Sequence, residues 1–375
     1  GLSNLIWIYD NNRITIEGNT ARAFTEDVAT RFMGYHWNVQ RVGDANDLEQ
    51  LDRNLRTTLA ETQRPSLIIV DSHIAYGSPH KQDTSGAHGE PLGEEEVRLT
   101  KERYGWPPDA QFLVPEEVRR HMGEAVERGR RWQLAWEARL EAYRKAYPEL
   151  AAEWDLLQAS ELPQGWDREL PSFPADAEGI AGRDASAEIL NAIARRVSWL
   201  IGGSADLTPS TKTRIKDGGD FQREDCAGRN LHFGVREHAM GAVLNGICLA
   251  RLRVYGSGFL IFSDYARPTL RLAAMMELPV IHIFTHDSIG VGEDGPTHQP
   301  IEHLASLRAI PHLVVLRPAD ANECAEAWHF IMDLPRRPEA LRHSPVALIL
   351  SRQKLPTLDR TRYAPASGLH RGAYV

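Results

Sequence analysis

Cysteine is scarce in this chain: Cys226, Cys248 and Cys324 are the only three in 375 residues, and they are widely spaced. An odd number without paired spacing excludes a disulfide framework and a cysteine zinc site, and it points to a reducing compartment, the cytoplasm. Cys248 falls in an apolar helical pattern and reads as packing. Long apolar runs are missing too. A helix needs about 20 mostly apolar residues to cross a bilayer, and no stretch has them, so no membrane partner is expected. There is no surplus of positive charge either. The formal net charge is −8, which gives no sign of a nucleic-acid partner. The ends carry no visible signal. The chain opens GLSNLIWIYD, without methionine and already inside a strand pattern, and closes on RGAYV. That reads as a piece cut from a longer polypeptide, in which any targeting peptide would be hidden.

What remains is an ordinary globular composition, 42% hydrophobic, on a chain long enough for two domains. Strand and helix patterns alternate. NLIWIYD, WNVQRV and PSLIIVDSHI read as strands, with FTEDVATRFMGYH and DANDLEQLDRNLRTTLAET as helices between them. A long polar-rich helical region runs from about Glu116 to Leu157. Val118, Met122 and Val126, then Trp132, Trp136 and Leu140, recur there at helical spacing, as in a structural helix with a solvated charged face. Residues 158–182, with Pro163, Pro171 and Pro174, read as a linker. The alternation then restarts: SAEILNAIARRV, WLIGGSADL, EHAMGAVLNGICLA, VYGSGFLIF, a helix through RLAAMME, PVIHIFT, IEHLASLRA, HLVVL, DANECAEAWHFIM and VALILS. Ala239, Met240, Val243, Leu244, Ile247 and Cys248 are expected on one helix face. The fold class is therefore α/β, with two doubly wound parallel-sheet domains joined by a linker. The divisions fall at 1–157, 158–182, 183–358 and 359–375.

The loop HDSIGVGEDGPTHQP, residues 286–300, sets two histidines and three acids on a glycine-rich turn after a buried strand. Glycine lets a ligand approach the main chain, and open α/β sheets bind ligands at the carboxyl ends of their strands. A catalytic pocket, a metal site and a solvated loop are all open to it. Histidine and carboxylate suit zinc, which makes His286, Asp294 and His298 the metal alternative.

YDNNRITIEG, GSPHKQDTSGAHGEPLG, GGSADLTPS, FGVREHAMGAVLNGI, FLIFSDYAR, HDSIGVGEDGPTHQPIEHL and ALILSRQKLP occur in one order along the chain. Together they resemble the transketolase family of thiamine-diphosphate enzymes, and the match spans nearly the whole length. The resemblance implies that residues 1–157 are the C-terminal part of the diphosphate-binding domain. Residues 183–358 would be the pyrimidine-binding domain and 359–375 the start of a linker to a third domain. The family's upstream Gly-Asp-Gly half of the diphosphate motif, its upstream histidines and its third domain have no counterpart in the sequence, so the chain alone is expected to turn over little substrate.

The resemblance also assigns residues. Asn12, by its side chain, and Ile14, by its carbonyl, would hold the Mg2+ or Ca2+ that clamps the diphosphate; read alone, Asn-Asn after a strand is a turn. His88 would touch the diphosphate and the reacting substrate, whereas a loop histidine by itself is more often surface, as His80 is. Glu237 would hydrogen-bond the pyrimidine ring of thiamine and so favour the tautomer that generates the thiazolium ylid. Without the resemblance it is a first-turn acid favoured by the helix dipole. Phe259, Phe262 and Tyr265, otherwise core aromatics, would form the pyrimidine pocket, with Asp206 near the cofactor. Arg183, Ser210, His286 and Arg352 would bind substrate phosphate. Asp294 would read a sugar hydroxyl, and His298 would steady the oxygen whose charge changes as the carbon–carbon bond forms or breaks. The implied activity is ketol transfer in the pentose phosphate pathway, on xylulose 5-phosphate, ribose 5-phosphate and erythrose 4-phosphate, by a homodimer. A sister enzyme such as dihydroxyacetone synthase and a non-catalytic relative acting as a binding partner remain the alternatives. Glu293, Asp287 and His303 receive no role.

Overall fold

The computed structural model describes residues 2–374, which form two compact units, Gly1–Trp132 and Gln133–Val375. The first holds β1 (Ile6–Asn11), a two-residue hairpin of β2 (Ile14–Thr15) and β3 (Gly18–Asn19), α1 (Val28–Gly34), β4 (Asn38–Val42), α2 (Leu48–Leu59), β5 (Ser66–Asp71) and α3 (Glu94–Arg103). The long helix α4 (Glu116–Ala146) runs on across the division, and α5 (Pro148–Gln158) follows it. In the second unit come β6 (Asp176–Ala181), α6 (Gly182–Arg196), β7 (Leu200–Ser204), α7 (Thr208–Thr211), β8 (Asn230–His232), α8 (Glu237–Leu249) and β9 (Arg253–Phe259). They are followed by α9 (Ser263–Met275), β10 (Ile281–Thr285), α10 (His303–Arg308), β11 (Val314–Leu316), α11 (Ala321–Met332), α12 (Glu339–Arg342), β12 (Val346–Ile349) and β13 (Lys354–Thr357).

Both main sheets are parallel. The first has the order β1-β5-β4, and the second β11-β12-β10-β9-β7-β8. Strands β5, β10 and β12 read as apolar runs because they are covered on both faces, whereas β1 leaves Trp7 and Ile8 exposed. One core layer packs α6 and α11 on the second sheet through Ile189, Ile193, Trp328 and Ile331. Its polar atoms are matched: Trp328 Nε1 donates to Ser186 Oγ (2.8 Å) and the Tyr255 hydroxyl to the Thr213 carbonyl (2.6 Å). On the other face α9 and α10 pack through Leu270 and Leu307. Helix α8 meets α9 so closely that a Cβ on Gly241 would lie 2.0 Å from Thr269 Oγ1.

Four details differ from the sequence reading. The helical region from Glu116 breaks at Tyr147 and restarts with Pro148 at its first position, where a missing N–H costs nothing. None of the residues of α4 is buried; Val118, Met122 and Val126 stay exposed, so the apolar stripe has no cover within the described residues. On α8 the buried side is Met240, Gly241, Leu244, Asn245 and Cys248, while Ala239 and Val243 are exposed. The stretch read as linker also contains β6, which pairs antiparallel with β13. Among the described residues, no helix is long and apolar enough to cross a membrane.

Candidate active site

In the second unit the carboxyl ends of β9, β10 and β12 bring most of the candidate residues together. His286 is the residue directly after β10. It has a left-handed backbone (φ 59°) and is 2% exposed. Its ring stacks on Phe259, the last residue of β9, with centroids 3.7 Å apart. Its Nδ1 lies 2.9 Å from Thr285 Oγ1. Phe259 continues into Phe262 (5.9 Å, stacked), and Phe262 into Tyr265 (6.2 Å). His298 stands edge-on to both Phe259 (5.9 Å) and Phe262 (5.4 Å). One aromatic wall thus joins the loop of residues 286–300 to the start of α9.

Charges of both signs surround this wall. Asp294 Oδ2 lies 3.8 Å from His286 Nε2 and 3.9 Å from Arg352 Nε, too long for hydrogen bonds but close enough for attraction. Burial pushes the His286 imidazole down to about 4, and Arg183, Arg352 and His298 push it the same way against the opposing pull of Asp294. The ring is therefore neutral at pH 7. Arg183 lies at the start of α6, where its Nη1 donates to the Ser210 carbonyl (3.0 Å) and its buried Nε has no hydrogen-bond partner, with Asp184 Oδ2 at 3.9 Å. Ser210 thus meets Arg183 through its main chain. A guanidinium with a buried unsatisfied donor is a poor structural element and a ready anion ligand.

The zinc alternative finds no support in this geometry. Among the described residues, the ligand atoms of His286, Asp294 and His298 do not gather within 4.8 Å of one another. Two arginines beside them would also repel a dication.

The remaining candidates are described by the unit that carries them. Glu237 is the first residue of α8, half-buried, and its carboxylate joins no ion pair within 4.0 Å among the described residues. Asp206, after β7, has φ 64° and lines a separate groove of about 760 Å³ with Lys212, Arg214 and His232. In the first unit, Asn12 follows β1. Its Oδ1 accepts from the Ile14 N–H (2.9 Å) across Arg13, which has φ 60°. That Asx turn holds two neutral oxygen donors, the Asn12 amide and the Ile14 carbonyl, in one short loop. Their hardness suits Mg2+ or Ca2+, but they bring no charge of their own. His88 is exposed and caps the turn Ser85–Ala87, its N–H donating to the Ser85 carbonyl (3.0 Å).

Two residues without an expected role hold the loop. Asp287 is 7% exposed, and its Oδ2 accepts from Arg317 Nε (3.0 Å) and Nη2 (2.7 Å). Arg317 directly follows β11, so the pair ties the start of the 286–300 loop to a strand end two places along the sheet, across β12. An acid beside His286 and an arginine closing VVLR were visible in the sequence, but only the sheet order makes them neighbours.

Residues 1–163 match the family described as transketolase, thiamine diphosphate binding domain, and residues 178–357 match transketolase, pyrimidine binding domain. Over 100% of its length the chain is 49% identical to the transketolase of Geobacillus stearothermophilus and 47% identical to that of Bacillus subtilis (strain 168), covering 55% of each. The chain thus spans about half the length of the curated relatives it matches. Among solved structures, a Pichia stipitis transketolase in complex with sedoheptulose-7-phosphate matches with a TM-score of 0.92 at 40% identity, over 100% of this chain and 55% of that one. The transketolase from Campylobacter jejuni matches with a TM-score of 0.84 at 38% identity, over 96% of this chain and 53% of that one.

Proposed function

The chain belongs to the transketolase family, and from that premise we propose that it moves a two-carbon ketol unit from a ketose phosphate to an aldose phosphate. Xylulose 5-phosphate is the donor, and ribose 5-phosphate or erythrose 4-phosphate the acceptor. The reaction belongs to the pentose phosphate pathway, in the cytoplasm. Residues 1–157 serve the diphosphate of the cofactor and residues 183–358 its pyrimidine.

The observation that carries this reading is the cluster at His286: an aromatic wall, a neutral histidine, a second histidine, one carboxylate and two arginines at adjacent strand ends. Thiamine diphosphate, when bound, supplies the nucleophilic carbon and the electron sink. The residues of the chain do the rest. Phe259, Phe262 and Tyr265 offer faces to the pyrimidine. Glu237 holds a proton at a pyrimidine nitrogen. Arg183 and Arg352 take the substrate phosphate, with Ser210 placed by Arg183. Asp294 accepts from a sugar hydroxyl, and neutral His286 donates to another oxygen. His298 carries the proton at the oxygen that changes charge, and His88 contacts the diphosphate side. Asn12 and Ile14 would supply oxygen ligands to Mg2+ or Ca2+, whose charge would offset that of the diphosphate. Asp206 borders the cofactor. The protein works as a twofold dimer, a reading supported by apolar side chains left exposed on α8 and α9: Val243, Leu249, Tyr265 and Met275.

The test is Arg352→Ala in the protein carrying this chain, assayed with two donors. A charge-assisted hydrogen bond to phosphate contributes roughly 1.5–3 kcal/mol. The kcat/KM for xylulose 5-phosphate should therefore fall by roughly ten- to a hundredfold. Hydroxypyruvate has no phosphate, so its kcat/KM should barely change. An equal loss for both donors would mean that Arg352 only balances Asp294.

A further inference from the structure

The amino ends of the strands in the second unit enclose a different cavity. Strand β9 joins the two places: it starts at Arg253 and ends at Phe259, so they lie about 20 Å apart at ~3.3 Å per residue. The cavity measures about 320 Å³ and is lined by Arg251, Arg253 and Arg342, by Glu161 and Glu277, and by Trp199. All of these belong to segments leading into strands or leaving helices at that edge.

Arg253 is 6% exposed, and its Nη2 donates to the carbonyl of Met332, the last residue of α11, at 3.3 Å. That helix cap occupies one of the five guanidinium donors. No carboxylate acts on the group. Burial lowers its pKa to about 10 against an opposing pull from Cys248, so it remains charged at neutral pH. Neither Arg251 nor Arg342 is ion-paired within 4.0 Å among the described residues, and both are exposed at the rim. A buried cation without a counter-ion is costly unless an anion reaches it. Glu161 and Glu277 do not neutralise it, but they are hydroxyl acceptors, and Trp199 presents an apolar face that suits C–H groups.

We infer that this cavity binds a small phosphorylated polyol, with its phosphate on Arg251, Arg253 and Arg342 and its hydroxyls donating to Glu161 and Glu277. The site is separate from the His286 cluster and does not depend on the proposed ketol transfer. It gives the protein a place where a phosphorylated metabolite binds without reacting.

Amide hydrogen exchange on the full chain tests this locally, with inorganic phosphate, glycerol 3-phosphate and glycerol as probes. Glycerol 3-phosphate should slow exchange in segments 248–254 and 276–279. Inorganic phosphate should do so at higher concentration and glycerol not at all. Arg253→Met removes a buried group and risks the fold, so the variant of choice is Arg251→Ala with Arg342→Ala, both at exposed positions. It should raise the glycerol 3-phosphate concentration needed at least tenfold. Unchanged exchange in those segments, slowing confined to residues around His286, or the same protection in the double variant would overturn the site. Equal potency of inorganic phosphate and glycerol 3-phosphate would overturn the polyol assignment.

Discussion

His282 lies within β10 and His286 just past its end, and burial pushes both imidazoles down to about 4. Both nitrogens of His282 are buried without a partner. The unfolded chain takes up protons at these side chains near pH 6.5, whereas the folded chain resists until about pH 4. Stability is therefore full above about pH 6.5 and is lost as pH falls through that window, by about 3 kcal/mol for His282 alone. His282→Leu should flatten the acid limb of urea-unfolding stability measured between pH 7 and 4. An unaltered acid limb would mean that His282 is solvated. Glu237 has a different test. Glu237→Gln keeps the size and removes the proton-accepting strength, so hydrogen–deuterium exchange at the thiazolium carbon of bound cofactor should slow by at least about a hundredfold. Exchange at the parent rate would take the carboxylate out of that role. The loop HDSIGVGEDGPTHQP stands out in the sequence by its glycines beside ionisable side chains, and the fold brings His286, Asp294 and His298 to one aromatic wall. The pairing of Asp287 with Arg317 was not legible, because their bond follows from β11 and β10 flanking β12, and no local pattern states sheet order.

Elements with apolar periodicity were read directly. Strands β4, β5, β10 and β12 lie inside the sequence segments that suggested them, and β1 runs one residue past its own; β5, β10 and β12 are the buried apolar runs of two-sided sheets. Strand β6 escaped: DAEGIA is largely exposed and has no alternation, and it is a strand only because β13 pairs with it. The exposed side of α8 was misread for a related reason. Small residues such as Gly241 mark the face that approaches α9, and a hydrophobicity pattern gives them no weight. The β6–β13 pair makes its own prediction. Gly179 has φ 62°, and a Cβ there would sit 1.8 Å from the Leu355 carbonyl oxygen. Gly179→Ala should cost about 2–5 kcal/mol through strain and clash together. A urea midpoint equal to that of the parent would show that the pairing is dispensable.

For the whole molecule, the apolar side chains left exposed on α4, α8 and α9 need cover. An isologous dimer covers such surface twice with one interface. Sedimentation should give a dimer, and a monomer that still binds thiamine diphosphate tightly would contradict the subunit arrangement. Ketol transfer can be read from the products of a single reaction. The protein carrying this chain is incubated with thiamine diphosphate, Mg2+, xylulose 5-phosphate and ribose 5-phosphate, and the sugar phosphates are read by mass spectrometry. Moving two carbons between two pentose phosphates must give a seven-carbon and a three-carbon phosphate, and the account predicts both, only when cofactor is present. Cofactor binding without a seven-carbon product would contradict ketol transfer between sugar phosphates, as would, in a parallel mixture with formaldehyde added, dihydroxyacetone formed in preference to that product.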